Sequence, residues 1–158
     1  MTEHAHTLSG ILLALLLSGC GPGTGTSETS DTAVARANAI PTLLEAGDAE
    51  ARISVVPTLA LGEAIAARYG VERAPGRALV LVELREDTGS RRADITGRVR
   101  DLRGTPQQLV FREVRTDDLI DYVAIARASA PDTLRFELDI LFEDAARARL
   151  TFNRDLAR

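Results

Sequence analysis

Eleven residues near the C-terminus, Thr133 to Glu143 (TLRFELDILFE), constrain the fold more than any other stretch of the chain. Leu134, Phe136, Leu138, Ile140 and Phe142 share one parity, and Arg135, Glu137, Asp139 and Glu143 the other, with Leu141 the exception. Apolar side chains at every second residue suit a strand with one buried and one wet face, and cannot form the stripe of a helix. Arg147 to Asn153 (RARLTFN) repeats the pattern, with Ala148, Leu150 and Phe152 inward. Arg77 to Arg85 (RALVLVELR) is nearly continuously apolar, as a central strand covered on both faces would be. Ala51 to Val56, Asp94 to Asp101, Gln108 to Arg115 and Leu119 to Arg127 complete a set of seven. Turn signals separate them at Asp87-Thr88-Gly89, Arg103-Gly104-Thr105-Pro106, Thr116-Asp117-Asp118 and Ala130-Pro131-Asp132. One helical patch, Leu61 to Tyr69 (LGEAIAARY), spaces Leu61, Ile65 and Tyr69 four apart, with Gly70 suited to end it. The expected fold is all-β: an immunoglobulin-like β-sandwich of about seven strands, with one short helix between the first two.

The N-terminal third follows different rules. Ile11 to Leu17 (ILLALLL) is too short to span a bilayer, which needs ~20 apolar residues, but has the length of a signal-peptide core. Leu17-Ser18-Gly19-Cys20 resembles the bacterial lipobox, in which the cysteine thiol takes a diacylglyceryl group and cleavage falls just before it. A cysteine buried in a helix is the poorer reading, because Gly19, Gly21, Pro22 and Gly23 surround Cys20. The n-region, Met1 to Thr7, departs from the usual pattern in having no Lys or Arg. Gly21 follows the cysteine where an aspartate would imply retention in the inner membrane, so the resemblance implies the periplasm and an outer-membrane anchor. Residues 1–19 thus read as signal peptide, 20–46 as lipidated Cys20 and flexible tether, and 47–158 as the folded domain. Gly21 to Asp31 is rich in Gly, Ser and Thr; Thr32 to Ala46 is more apolar, and Pro41 bars one continuous helix across it. A short helix and a docked tether both fit that second piece.

Three blocks carry a further resemblance: GDAEARISVVPTL (Gly47 to Leu59), AARYGVERAPGRALV (Ala66 to Val80) and FREVRTDDLIDYVA (Phe111 to Ala124). Together they resemble a family of small exported proteins of Gammaproteobacteria known only as a domain of unknown function, numbered four-four-two-six. The resemblance covers about Gly47 to Leu156 and implies a periplasmic, mostly-β domain. It brings no catalytic residues.

Absences narrow the chemistry. Both histidines, His4 and His6, lie in the leader, and all 19 basic residues are arginine. The mature chain would therefore lack His and Lys, and its one cysteine would be acylated. That excludes Ser-His and Cys-His nucleophile pairs, lysine Schiff bases and the usual zinc or copper ligand sets; no cofactor or metal is expected. A net charge of −4, from 19 basic and 23 acidic residues, gives no basic face for nucleic acid. Asp117, Asp118 and Asp121 are the densest acidic group, but a turn accounts for the first two.

Phe111 and Val114 are apolar yet of opposite parity, which predicts a bulge or two partly covered faces. Arg112 or Glu113 would then lie near apolar surface and need a partner, for which Asp121 is the candidate. Tyr69 and Arg73 flank the turn after the helix as a second candidate pair. Arg91-Arg92 reads as a solvated hairpin end. The expected function is a non-enzymatic binding module of the cell envelope, held to the membrane by lipid on Cys20 and recognising an envelope protein or another ligand on a sheet face or edge. The alternative is a small carboxylate-based hydrolase acting on an envelope glycan.

Overall fold

The computed structural model describes residues 41–157, apart from residue 88. The expected signal peptide, the expected lipidation site at Cys20 and the stretch up to residue 40 lie outside the described residues. The elements are β1 (Thr42–Ala46), β2 (Ala49–Pro57), a 3-10 turn (Thr58–Ala60), α1 (Glu63–Arg68), β3 (Arg77–Glu86), β4 (Gly89–Ser90), β5 (Ala93–Arg100), β6 (Pro106–Val110), β7 (Arg112–Thr116), β8 (Leu119–Arg127), β9 (Asp132–Phe142) and β10 (Arg147–Leu156). One sheet runs β1-β2-β3-β8-β7, with β4 paired to the end of β3; the other runs β10-β9-β5-β6. Every pairing is antiparallel, and the two sheets pack as an all-β sandwich.

Alternating positions of both sheets supply one core. Ile53, Val55, Val80, Val82 and Leu84 face Val99, Leu134, Phe136, Leu138 and Ile140, all at most 2% exposed. Phe136 and Phe152 are register partners across β9 and β10, and their rings stack at 4.8 Å. The inward face expected of Thr133 to Glu143 is the face observed.

The additional strands have separate origins. Thr42–Ala46, assigned to the tether on sequence, is an edge strand paired to β2, with Ala46 fully buried; the folded domain thus begins before Gly47. Gly89–Ser90 is a two-residue strand in the β3–β5 passage. The single strand expected over Gln108 to Arg115 is two, because the chain changes sheets at Phe111: β6 pairs with β5 in one sheet and β7 with β8 in the other. The opposite parity of Phe111 and Val114 is the trace of that crossing. The helix therefore lies between the second and third strands.

Four hairpin turns, β1–β2, β3–β4, β7–β8 and β9–β10, share one end of the sandwich. The opposite end holds the β5–β6 turn and the β8–β9 connection. β1 starts midway along β2, with Thr42 opposite Ile53, and runs away from that end; the Thr42 hydroxyl accepts a 3.4 Å hydrogen bond from Arg154 on β10.

Candidate functional site

The outward positions of the larger sheet form a second, smaller core. Leu79 on β3 and Val123 on β8 are buried there beneath Leu61, Ala66 and Tyr69 from α1 and its flanks. Ile65 is not on the packed face: it is 39% exposed, and Ala66 takes its place. A six-residue helix turns through too short an arc to keep Leu61, Ile65 and Tyr69 in line, since Leu61 precedes its first turn and Tyr69 is its C-cap. Glu63 in the first turn and Arg68 in the last complement the helix dipole. Gly70 follows at φ +55°, a conformation that favours glycine.

Next to this apolar patch lies the most elaborate polar group on that face. Asp121 is 7% exposed and directly opposite Glu83 in the β3–β8 register. The Tyr69 hydroxyl donates to Asp121 Oδ2 at 3.0 Å. Arg85 places Nη2 4.0 Å from Asp121 Oδ1 and 3.6 Å from Glu83, and donates from Nη1 to the Ser90 hydroxyl at 2.6 Å. Arg52 lies 4.0 Å from Glu83 on the far side. Asp121 Oδ1 is buried without a hydrogen-bond partner. Burial, then the hydrogen bond to Asp121 and its charge, push the Tyr69 phenol up from 10.0 to about 12. The phenol stays protonated and donating across the physiological range. Arg112 completes the latch by donating to the Tyr69 carbonyl, an oxygen that the end of α1 leaves without a helical partner.

Of the five residues singled out on sequence, three therefore meet: Tyr69, Asp121 and Arg112, with Tyr69 as the common partner. Asp121 is not the partner of Arg112 or Glu113; its register neighbour on β7 is Val114. Arg73 turns away, donating to the Leu59 carbonyl at 3.1 Å and lying 3.9 Å from Glu63. Glu113 points to the other face of β7, pairs with Arg115, and rims a depression with Arg92, Asp94 and Glu143. Glu83, Arg85 and Ser90 were missed. Glu83 and Arg85 end an apolar run, and only their odd parity, shared with Leu79 and Leu81, marks them as facing the helix. Among the described residues, no group of three or more His, Cys, Asp or Glu side chains could hold a metal ion.

Arg91 also departs from expectation. Its side chain is 14% exposed, not solvated; its guanidinium lies 4.0 Å from the Phe142 ring centroid and pairs with Glu86 at 2.8 Å and Asp144 at 2.6 Å. It ties the β3 end of one sheet to the β9–β10 turn of the other.

A groove opens beside the latch. It has a volume of about 310 Å³ and is lined by Val71, Leu79, Val110, Val123 and Ile125, with Arg112 at its polar side. Val110 is 81% exposed on the edge strand β6, and Ile125 39%. The Asp121 group is thus sealed by Tyr69, whereas the apolar groove next to it is open.

A two-sheet antiparallel sandwich with a helix latched to one outer face places the chain among small all-β domains. Its sequence matches, over residues 44–157, the family model described as Domain of unknown function (DUF4426), and the chain belongs to that family. The match reaches into β1. The chain is also similar to a DUF4426 family protein of Pseudomonas aeruginosa PAO1, known from a crystal structure, at 23% identity and a TM-score of 0.66. The likeness covers 75% of this chain and 95% of that one, and bears on the fold alone. No curated protein matches the sequence.

Proposed function

We propose that this protein is a lipoprotein of the periplasm, held to the outer membrane by lipid on Cys20, whose sandwich domain binds another envelope protein without catalysing a reaction. The observation that carries the binding reading is the open groove: Val110, 81% exposed, stands beside Ile125, Leu79 and Val71, with the Arg112 guanidinium alongside. An apolar trough with one cation at its side suits an apolar segment bearing an acidic group. Arg112 also holds α1 through the Tyr69 carbonyl, so a ligand at the groove would touch the same residue that positions the helix.

The hydrolase reading draws support only from the adjacency of Glu83 and Asp121. Acid–base chemistry needs both carboxyl groups within reach of a substrate. Asp121 is 7% exposed beneath Tyr69, and Arg85 and Arg52 flank Glu83. Those neighbours favour a structural role.

A photo-crosslinking amino acid at position 110, introduced in cells, should capture a discrete envelope protein, and Arg112→Gln should weaken that capture. Labelling no greater than from an exposed position on the opposite edge of the same sheet, such as Thr151 on β10, would refute the groove. Cys20→Ala should abolish palmitate labelling and leave unprocessed precursor; an unlabelled wild-type protein would refute the anchor. Hydrolysis of peptidoglycan by purified protein, lost in a folded Asp121→Asn variant, would restore the enzyme reading.

A further inference from the structure

The two ends of the sandwich differ in charge. All four hairpin turns at the far end carry an aspartate: Asp48, Asp87, Asp117 and Asp144. The opposite end carries Arg100, Arg103, Arg127, Arg135 and Arg154, interspersed with Asp101, Asp132 and Asp155. We infer that this arginine-rich end is a docking surface for the phosphate groups of an anionic lipid bilayer. The inference rests on the anchored reading above, since lipid on Cys20 would bring the domain to a membrane.

Arg100 on β5 and Arg135 on β9 supply the specific observation. They are register partners, and both side chains are exposed on the outer face of the smaller sheet. Like charges directly opposite one another destabilise a strand pair, and neighbouring strands are only ~4.8 Å apart. On the same face Arg98 is paired with Glu137 at 3.0 Å and Arg149 with Asp139 at 2.6 Å. Arg100 and Arg135 have no hydrogen bond or ion pair among the described residues, and neither has Arg103, exposed in the turn after β5. Nearby acids do not neutralise them by pairing. Asp101 accepts from the Thr105 amide, Asp132 from the Leu102 amide and Asp155 from the Thr133 hydroxyl. A phosphate set between Arg100 and Arg135 would relieve their repulsion and accept charge-assisted hydrogen bonds from both.

The chain path selects the membrane as the source of that phosphate. β1 starts midway along β2 and runs away from the arginine-rich end, and its first residue, Thr42, is hydrogen-bonded to Arg154. About twenty residues separate it from Cys20. Drawing the domain toward an anionic surface by its arginines also turns the four aspartate-bearing hairpin turns away, so attraction and repulsion favour one orientation. Each arginine at an anionic surface contributes about fivefold in binding, so three together contribute roughly a hundredfold, reduced by salt.

The test uses the full chain carrying Cys20→Ala, which cannot be acylated, sedimented with vesicles of phosphatidylcholine alone or with added phosphatidylglycerol. Any insertion of the apolar leader is common to both compositions, and their difference isolates the charge term. Binding to phosphatidylglycerol vesicles should be stronger, should weaken with salt, and should fall at least tenfold in Arg100→Gln/Arg103→Gln/Arg135→Gln. Arg98→Gln, which removes a paired arginine, should leave it nearly unchanged. Removing facing like charges should not unfold the domain; should the triple variant fail to fold, Arg135→Gln alone should still reduce the salt slope. Equal binding to the two vesicle types would overturn the inference. So would binding to peptidoglycan sacculi, or head-to-tail self-association, that the triple variant loses while its vesicle binding persists. Palmitate labelling of the wild-type chain decides the anchor separately, so failure there is distinguishable from failure here.

Discussion

Two residues, Tyr69 and Gly97, show how closely the local geometry is set. Tyr69 links the helix to the sheet through one hydroxyl, and burial beside the Asp121 carboxylate raises its pKa to about 12. A group whose folded pKa lies above its unfolded value stabilises the fold fully below the unfolded value and loses that contribution as pH rises through the folded one. Stability should therefore begin to fall near pH 10 and go on falling toward 12. Tyr122, raised chiefly by its burial, adds to the same decline. Tyr69→Phe should flatten part of it and cost about 1–3 kcal/mol at neutral pH by leaving Asp121 Oδ2 without its donor. A urea midpoint unchanged by Tyr69→Phe, with the same alkaline slope, would show that the hydroxyl holds nothing. Gly97 is set by space rather than by conformation: a Cβ there would lie 2.6 Å from Leu138 Cδ2 and 3.2 Å from Phe111 Cε2. Overpacking of this kind costs about 1–3 kcal/mol, so Gly97→Ala should lower the urea midpoint measurably. Wild-type stability in that variant would mean that β5 and the Phe111 crossing are less closely packed than described.

Among the elements, those with one face buried were legible in the sequence, because alternation over nine or more residues leaves a single register. Thr133 to Glu143 shows this best. β1 was not legible: TLLEA is five residues long, Leu43 points outward at 55% exposure, and the regular β pattern reads as starting only at Gly47. A chain beginning at Gly47 should accordingly be less stable, and more prone to associate, than one beginning before Pro41, since β2 would become an unprotected edge. Urea melts and light scattering of the two chains would check this, and identical behaviour would return β1 to the tether. The same short reach of sequence signals hid the candidate site. Tyr69 and Asp121 stand 52 positions apart, and nothing local to either indicates that they meet. Arg91 was misread for the opposite reason. Two adjacent arginines at a hairpin resemble a solvated tip, and only the approach of β9 puts the Phe142 ring beneath one of them.

At the scale of the whole molecule, the sandwich depends on one core shared by both sheets. Phe136 is fully buried and stacked on Phe152. Phe136→Ala should cost about 3–5 kcal/mol, a large part of the 5–15 kcal/mol that typically separates folded from unfolded chains. A variant that melts within a few tenths of a molar of wild type in urea would contradict the packing described. The crossing at Phe111 has a further consequence. Because β6 and β7 are one run of chain divided between the sheets, neither sheet can release its edge without pulling on the other. Partial opening of one sheet along the β6 or β7 edge, one route to sub-global hydrogen exchange, is thereby suppressed. Slowly exchanging amides of β5, β8 and β9 should share a single opening free energy equal to that of global unfolding. A domain built in this way offers proteases few intermediate targets, because it opens as a whole.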